Sequence, residues 1–348
     1  MGMNATRPEI QVWLQGRDIT LALEPYLRKL TYVDHLEGDE PDALEIELED
    51  RGRIFQGPRY PSRGDSIRFR FGMEGQTLFD SRLGFQIDEI EVEGPPDVVV
   101  LRAVSSLPTS AIHDRRSRVW EGVTIEQIAR AVAAKHNLKV RVDADQVSWT
   151  RITQHDESDW QFLKRLAREY GLLASIKARA PGQDEMDGPP LLVLHKSEAL
   201  EGLQPVFEAF RNDVKKFHFR NKITAGERGS YTRWFDSSLK ALVEFEATPE
   251  HPARDLQGKS PRLTTRGRTE SQGNAQVKAR RPLRESKGDE QQATLTFPGN
   301  RLLIAGANLT LPVDEWSRLG GIYQILSSRH VMEVSGGYEV EATLRRVK

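Results

Sequence analysis

In the run His155-Asp156-Glu157-Ser158-Asp159-Trp160-Gln161-Phe162-Leu163-Lys164-Arg165-Leu166-Ala167-Arg168-Glu169-Tyr170-Gly171, local chemistry prescribes a helix between two caps. Ser158 with Gln161 three positions on is a capping box, in which hydroxyl and amide satisfy the first free backbone N–H groups. Gly171 supplies the left-handed stop at the other end. Between them Trp160, Leu163, Leu166, Ala167 and Tyr170 recur at helical spacing and predict the buried stripe, with Lys164, Arg165, Arg168 and Glu169 mostly off it. The chain then enters Leu172-Leu173-Ala174-Ser175-Ile176, which reads as a strand.

Upstream the pattern is of the same kind. Thr124-Ile125-Glu126-Gln127 is a second capping box, and Ile125, Ile128, Ala129, Val132 and Ala133 share one helical face, with Asn137 as the stop. Val140–Val142 and Leu191–His195 are short strands, so the centre of the chain reads as α/β. Both flanks have period two. Leu44-Glu45-Ile46-Glu47-Leu48-Glu49-Asp50 alternates strictly, with one face apolar and the other carboxylate, and Ile67-Arg68-Phe69-Arg70-Phe71 does the same with arginines. Ile10–Leu14, Phe85–Val92 and Val98–Leu101 complete the first flank, punctuated at Gly57-Pro58, Gly64-Asp65 and Gly94-Pro95-Pro96. On the other flank, strands are predicted at Val214–Phe219, Leu239–Thr248, Gln291–Phe297, Ala307–Leu311, Gly321–Ser328 and Gly337–Val347, with a short helix over Ala275–Leu283. Arg179–Pro190 and Pro249–Ser260 read as loops. Short strands at this spacing suggest a small barrel or sandwich.

The 348 residues carry 50 basic and 51 acidic side chains, a net charge of -1, which exerts no long-range pull on nucleic acid or anionic lipid. With no cysteine, disulfides, thiolate metal sites and cysteine nucleophiles are excluded. Met1–Pro8 has no apolar core suited to a signal peptide, and no run approaches the ~20 apolar residues that span a bilayer. The expectation is a soluble protein assembled in the bacterial cytoplasm.

Motifs of catalysis are scarce. His35, His113, His136, His155, His195, His218, His251 and His330 include no helical i, i+4 pair, so metal binding is unsupported. Gly258-Lys259-Ser260 resembles the end of a phosphate-binding loop, but Ala253 stands where the first glycine belongs and Pro261 blocks the following helix. There is no G-x-S-x-G turn and no dinucleotide fingerprint. Asp88-Glu89, Glu91, Glu93 and Asp156-Glu157 with Asp159 are candidate carboxylate pairs, yet adjacent acids are expected by chance among 51. Arg115-Arg116-Ser117-Arg118 and Lys278-Ala279-Arg280-Arg281-Pro282-Leu283-Arg284 read as solvated faces or protein contacts, since no aromatic residue interleaves them for base stacking. No catalytic residue, cofactor or metal site is assigned.

The 155–171 segment resembles the E-S-D-[WF]-x-F-L-x-R-L-A-x-E-x-G signature of the phage late control protein D family, the contractile-tail baseplate hubs, and of the N-terminal half of VgrG spike proteins. Gly16-Arg17-Asp18-Ile19, Tyr32-Val33-Asp34 and Asp42–Asp50 are similar to the family's first barrel. Gly306, Gly321-Ile322-Tyr323-Gln324-Ile325, His330 and Gly336-Gly337-Tyr338 are similar to its closing barrel. The resemblance implies an α+β, β-rich fold of two related β-barrel domains flanking an α/β central domain. Its boundaries are expected at 1–105 for the first barrel, 106–200 for the α/β domain with two amphipathic helices, and 201–348 for the second barrel with inserted loops and a short helix. It further implies a non-enzymatic homotrimer whose pseudo-sixfold ring adapts a hexameric tail tube to a trimeric central spike. Baseplate wedge and tape-measure proteins are further implied neighbours in a phage tail or phage-tail-like bacteriocin, with no membrane and no specific nucleic acid. VgrG chains continue into a needle, whereas this sequence ends at Lys348, so the spike is expected as a separate chain. A tail-tip cell-wall hydrolase and a DNA-binding module are the alternatives.

Overall fold

The computed structural model describes residues 8–36, 41–75, 79–80, 84–105, 110–177, 190–221, 229–236, 240–247, 262–264, 273–280, 291–334 and 336–347. Two compact units emerge, and neither is a single stretch of chain: one gathers 1–107, 203–219 and 292–348, the other 108–202 and 220–291. This differs from the consecutive division at 105 and 200.

The first unit is built on one 14-stranded sheet. Strict alternation decides its faces. Along Ala43–Glu49 the side chains of Leu44, Ile46 and Leu48 are buried and those of Glu45, Glu47 and Glu49 lie outside. Ser66–Met73 repeats the pattern, with Ile67, Phe69 and Phe71 inside. The main path begins at Lys216–Asn221 and passes through Gln291–Pro298, Gly337–Arg346, Gly321–Glu333, Leu27–His35, Ala43–Glu49, Val98–Ser105, Phe85–Glu93, Ser66–Met73 and Pro8–Leu14 to Arg17–Asp18.

One pairing joins the two flanks: Gly321–Glu333 lies antiparallel to Leu27–His35, from Ser327 opposite His35 to Glu333 opposite Lys29. Where two related barrels were expected, the two flanks are joined in one continuous sheet. Among the described residues the path has two open ends and no barrel closes. The flanks share one hydrophobic core that runs from Val12 to Leu344. Period two establishes that a strand has one buried face, but not which strand lies beside it.

At the middle of this core Tyr32, Phe69, Phe71, Phe79, Phe85, His330 and Tyr338 pack ring against ring, with Tyr32 and His330 5.8 Å apart between centroids. Tyr338 OH lies 2.8 Å from His330 Nδ1, and Ser328 Oγ 3.1 Å from its Nε2. Burial pushes His330 down to about 3, so the ring is neutral, and burial pushes the phenols of Tyr32 and Tyr338 up.

The second unit holds both capped amphipathic helices and, over 273–280, the short third one. Ile125–Lys135 is capped by Thr124 and Gln127, and Ile125, Ile128, Ala129, Val132 and Ala133 are all buried. Asp159–Glu169 is capped by Ser158 and Gln161, and Gly171 takes the left-handed conformation at φ +67°. Lys139–Asp143 lies parallel to Leu191–Lys196, which pairs antiparallel with Leu172–Lys177 on its other side. Two strands that the sequence pattern left unassigned, Arg115–Thr124 and Ser148–Ser158, form a long antiparallel ribbon with an irregularity between Gln154 and Glu157. Gly229–Asp236 pairs with Ala241–Ala247 and Arg262–Thr264, and residues 273–280 are helical. Residues 281–283 of the expected helix, 179–189 of the first expected loop, and 249–260 of the second lie outside the described residues.

Candidate functional site

The stretch 154–170 carries a connected polar network. Asp159, the first residue of its helix, is buried, and both oxygens are occupied. Oδ2 lies 2.8 Å from His136 Nε2 and accepts from Lys135 Nζ at 3.1 Å; Oδ1 accepts from Gln154 Nε2 at 3.0 Å and lies 3.5 Å from Arg116 Nε. Four elements therefore converge on one carboxylate: the ribbon's two strands, the end of the first helix and the start of the second. Burial of a charge is tolerated when it is paired and hydrogen-bonded in this way.

A second chain of charges runs along the outer side of the same helix. Arg165 donates to Glu157 Oε1 at 2.7 Å and Glu157 Oε2 at 3.0 Å, and to Glu169 at 3.2 Å. Glu169 in turn pairs with Lys278 Nζ at 3.1 Å, from the 273–280 helix. Lys278 is buried with its ammonium 5.2 Å from the Tyr170 ring centroid, and Tyr170 OH accepts from Trp149 Nε1 at 3.2 Å. Glu169, at the end of the segment, thus docks a helix from more than a hundred residues away.

The buried stripe departs from expectation at one position. Phe162 is fully buried and stacks on Trp120, whereas Trp160 is half-buried. Asp159, Phe162, Leu163, Leu166, Ala167 and Tyr170 fall at i, i+3, i+4, i+7, i+8 and i+11, a better-phased stripe than one starting at Trp160.

The candidate carboxylates of 156–159 are drawn apart by separate cations. Asp156 accepts from Arg115 at 3.1 Å, Glu157 pairs with Arg165, and Asp159 lies in its buried collar. Glu89 and Glu91 both accept from Arg102, which also donates to Glu45. Those hydrogen bonds hold the Arg102 guanidinium above its ordinary range. The arginines of 115–118 lie on a strand: Arg118 sits 3.7 Å over the Trp120 ring, while Arg115 and Arg116 face Asp156 and Asp159. His136 and His330 are buried with polar partners; His251, Gly258-Lys259-Ser260 and Arg281–Arg284 lie outside the described residues. Among the described residues no group of three or more His, Asp and Glu could hold a metal ion, and no helix is long and apolar enough to cross a membrane.

The outer face of the first unit carries a hollow. Its lining includes Val98 and Val100, whose strand neighbours Val99 and Leu101 point into the core, with Glu45, Glu47, Glu91 and Glu93 around them and the Gly94-Pro95-Pro96 turn at one end. The volume is about 520 Å³.

Solved structures of tail proteins share this fold. The 43 kDa tail protein of prophage MuSo2 from Shewanella oneidensis superposes with a TM-score of 0.67 at 15% identity, over 98% of each chain. An Escherichia coli component of the type VI secretion system gives 0.57 at 10% identity, over 97% of this chain and 76% of that one. At such identities the likeness establishes the β-rich architecture alone. Sequence carries it further. Residues 98–335 match the family described as phage tail baseplate hub (GPD). The probable baseplate hub protein of Escherichia phage 186 is 30% identical over 231 residues, 65% of this chain and 54% of that protein. The chain belongs to the phage tail baseplate hub family, a family of structural tail components. It spans about half the length of the curated relatives it matches.

Proposed function

We propose that three copies of this chain form the ring at the centre of a tail baseplate, without catalytic activity, and that the ring adapts a hexameric tail tube to a trimeric spike. The observation that carries this reading is the pairing of Gly321–Glu333 with Leu27–His35. It fuses a β-rich N-terminal flank and a β-rich C-terminal flank into one body with one core. A subunit with two such halves offers two docking surfaces, and three subunits offer six, which resolves a sixfold-to-threefold mismatch. The spike and the tube protein are the partners of this reading, with wedge and tape-measure proteins beside them, in a phage tail or a related tail-like particle.

Absence of catalysis is part of the proposal. Asp156 and Glu157 face different cations, and Glu89 and Glu91 are held on the one Arg102 guanidinium, whereas glycoside hydrolysis needs two carboxyl groups facing one sugar cleft.

Two measurements test the reading. Light scattering and electron microscopy of the chain with its spike should give three copies; a monomer in the presence of the spike overturns the ring. A zymogram on peptidoglycan should show no clearing, and a cleared zone overturns the non-catalytic assignment.

A further inference from the structure

We infer that residues 273–280 form a detachable strap: a helix seated by Lys278 in an ammonium site of Glu169 and Tyr170, which leaves that seat while the rest of the second unit stays folded. This holds whether or not the chain forms a ring.

The make-up of the contact is the first reason. The helix buries Asn274, Ala275, Lys278 and Ala279, a face of two methyl groups, an amide and an ammonium. The two capped helices are anchored instead by large apolar side chains, Ile125, Ile128 and Val132 in one and Phe162, Leu163 and Leu166 in the other. Hydrophobic stabilisation scales with the apolar area removed from water, and alanine supplies little of it. The strap is also too short to be helical alone, since isolated helices of fewer than about 12–15 residues are marginal in water. Its helicity and its seat are therefore gained or lost together.

The second reason is what detachment leaves behind. Glu169 Oε2 lies 3.1 Å from Lys278 Nζ, while its Oε1 accepts from Arg165 at 3.2 Å. Tyr170 turns its ring face to Lys278 and keeps its hydroxyl on Trp149 Nε1 at 3.2 Å. With the strap gone, Glu169 still has Arg165 and Tyr170 still has Trp149. Lys278, whose side chain is 3% exposed in the seat, regains its hydration. Breaking a buried ion pair is most costly when one charge stays buried alone, and here neither does. Asn274, which donates to the Ser148 carbonyl at 2.7 Å, gives up its bond to water in the same step.

A carboxylate beside an aromatic face is a receptor for an ammonium group. Lys278 fills this receptor from within the chain. Detachment empties it and turns Glu169 and the Tyr170 ring to solvent.

The chain has no cysteine, so a single introduced thiol reports opening. Full-length Ala275→Cys and Ala129→Cys variants, both at buried positions, are labelled with a disulfide reagent under native conditions. The strap thiol should react at least tenfold faster than the thiol on the Ile125–Lys135 helix. Adding Glu169→Gln should speed the strap thiol at least fivefold and leave the other unchanged. Hydrogen exchange on the unmodified full chain should release 273–280 before the Asp159–Glu169 helix, which covers the case that Ala275→Cys itself loosens the strap. Equal exchange of these two helices in the unmodified chain overturns the strap, whatever the thiols show. So does a Glu169→Gln effect of the same size on both thiols, or on neither.

Discussion

His330 shows how one residue ties pH to the integrity of the core. Desolvation lowers it to about 3 from an ordinary value of 6.5, against a smaller opposing effect of the Leu303 backbone. Between those values the unfolded chain binds a proton that the folded chain refuses. Its contribution to stability is therefore complete above pH 6.5 and is lost as pH falls toward 3, by up to roughly 1.4 kcal/mol per pH unit. His330→Gln should flatten the acid limb of urea midpoint against pH by up to about one proton's slope. Gly299 is a second sensitive position, because a Cβ there would lie 2.0 Å from the Tyr338 ring that partners His330. Gly299→Ala should cost about 1–3 kcal/mol in urea titration, the usual range for overpacking. Asp159 is the third. Asp159→Asn leaves His136, Lys135 and Arg116 around a neutral group, at a cost of about 2–4 kcal/mol. That lies below the figure for fully buried pairs because Lys135 and Arg116 partly reach water.

At the scale of elements, the 159–169 helix was legible in full apart from its phase. Both caps stand where the capping boxes place them. The stripe begins at Asp159 because that carboxylate found buried partners, and no rule of hydrophobic periodicity anticipates a buried acid. The consequence is measurable. Phe162→Ala should destabilise the chain by about 3–5 kcal/mol and Trp160→Ala by less than half as much, by chemical denaturation. The ribbon of Arg115–Thr124 and Ser148–Ser158 was not legible. Its residues alternate poorly because arginines fold back onto Trp120, Asp156 and Asp159, and because the ladder slips between Gln154 and Glu157. The Leu27–His35 strand escaped for a related reason: it is paired on both sides, and Leu30, Thr31 and Tyr32 are buried in succession.

At the scale of the molecule, the first unit draws its core from residues far apart in the chain. Leu30, Ile46, Phe69, Leu101, Leu295, Ile325 and Leu344 belong to one cluster. Native-state hydrogen exchange should then give Leu27–His35 and Gly321–Glu333 one common protection, lost in one cooperative step. Two distinct opening energies for these strands would mean that the flanks fold as independent barrels.

The amino-acid sequence alone determined what short-range physics can determine: two capped helices, most of the strands and their buried faces, and a signature segment long enough to indicate the family. It also disclosed the acidic outer face of 44–50, since period two sends every other residue to water. Which strands are neighbours was decided only in three dimensions. Leu27–His35 and Gly321–Glu333 are nearly three hundred residues apart, and nothing local encodes their register. The partners of Asp159 and Lys278 and the three carboxylates gathered on Arg102 were likewise decided there, because each is assembled from segments that meet only after the sheet and the helices have packed.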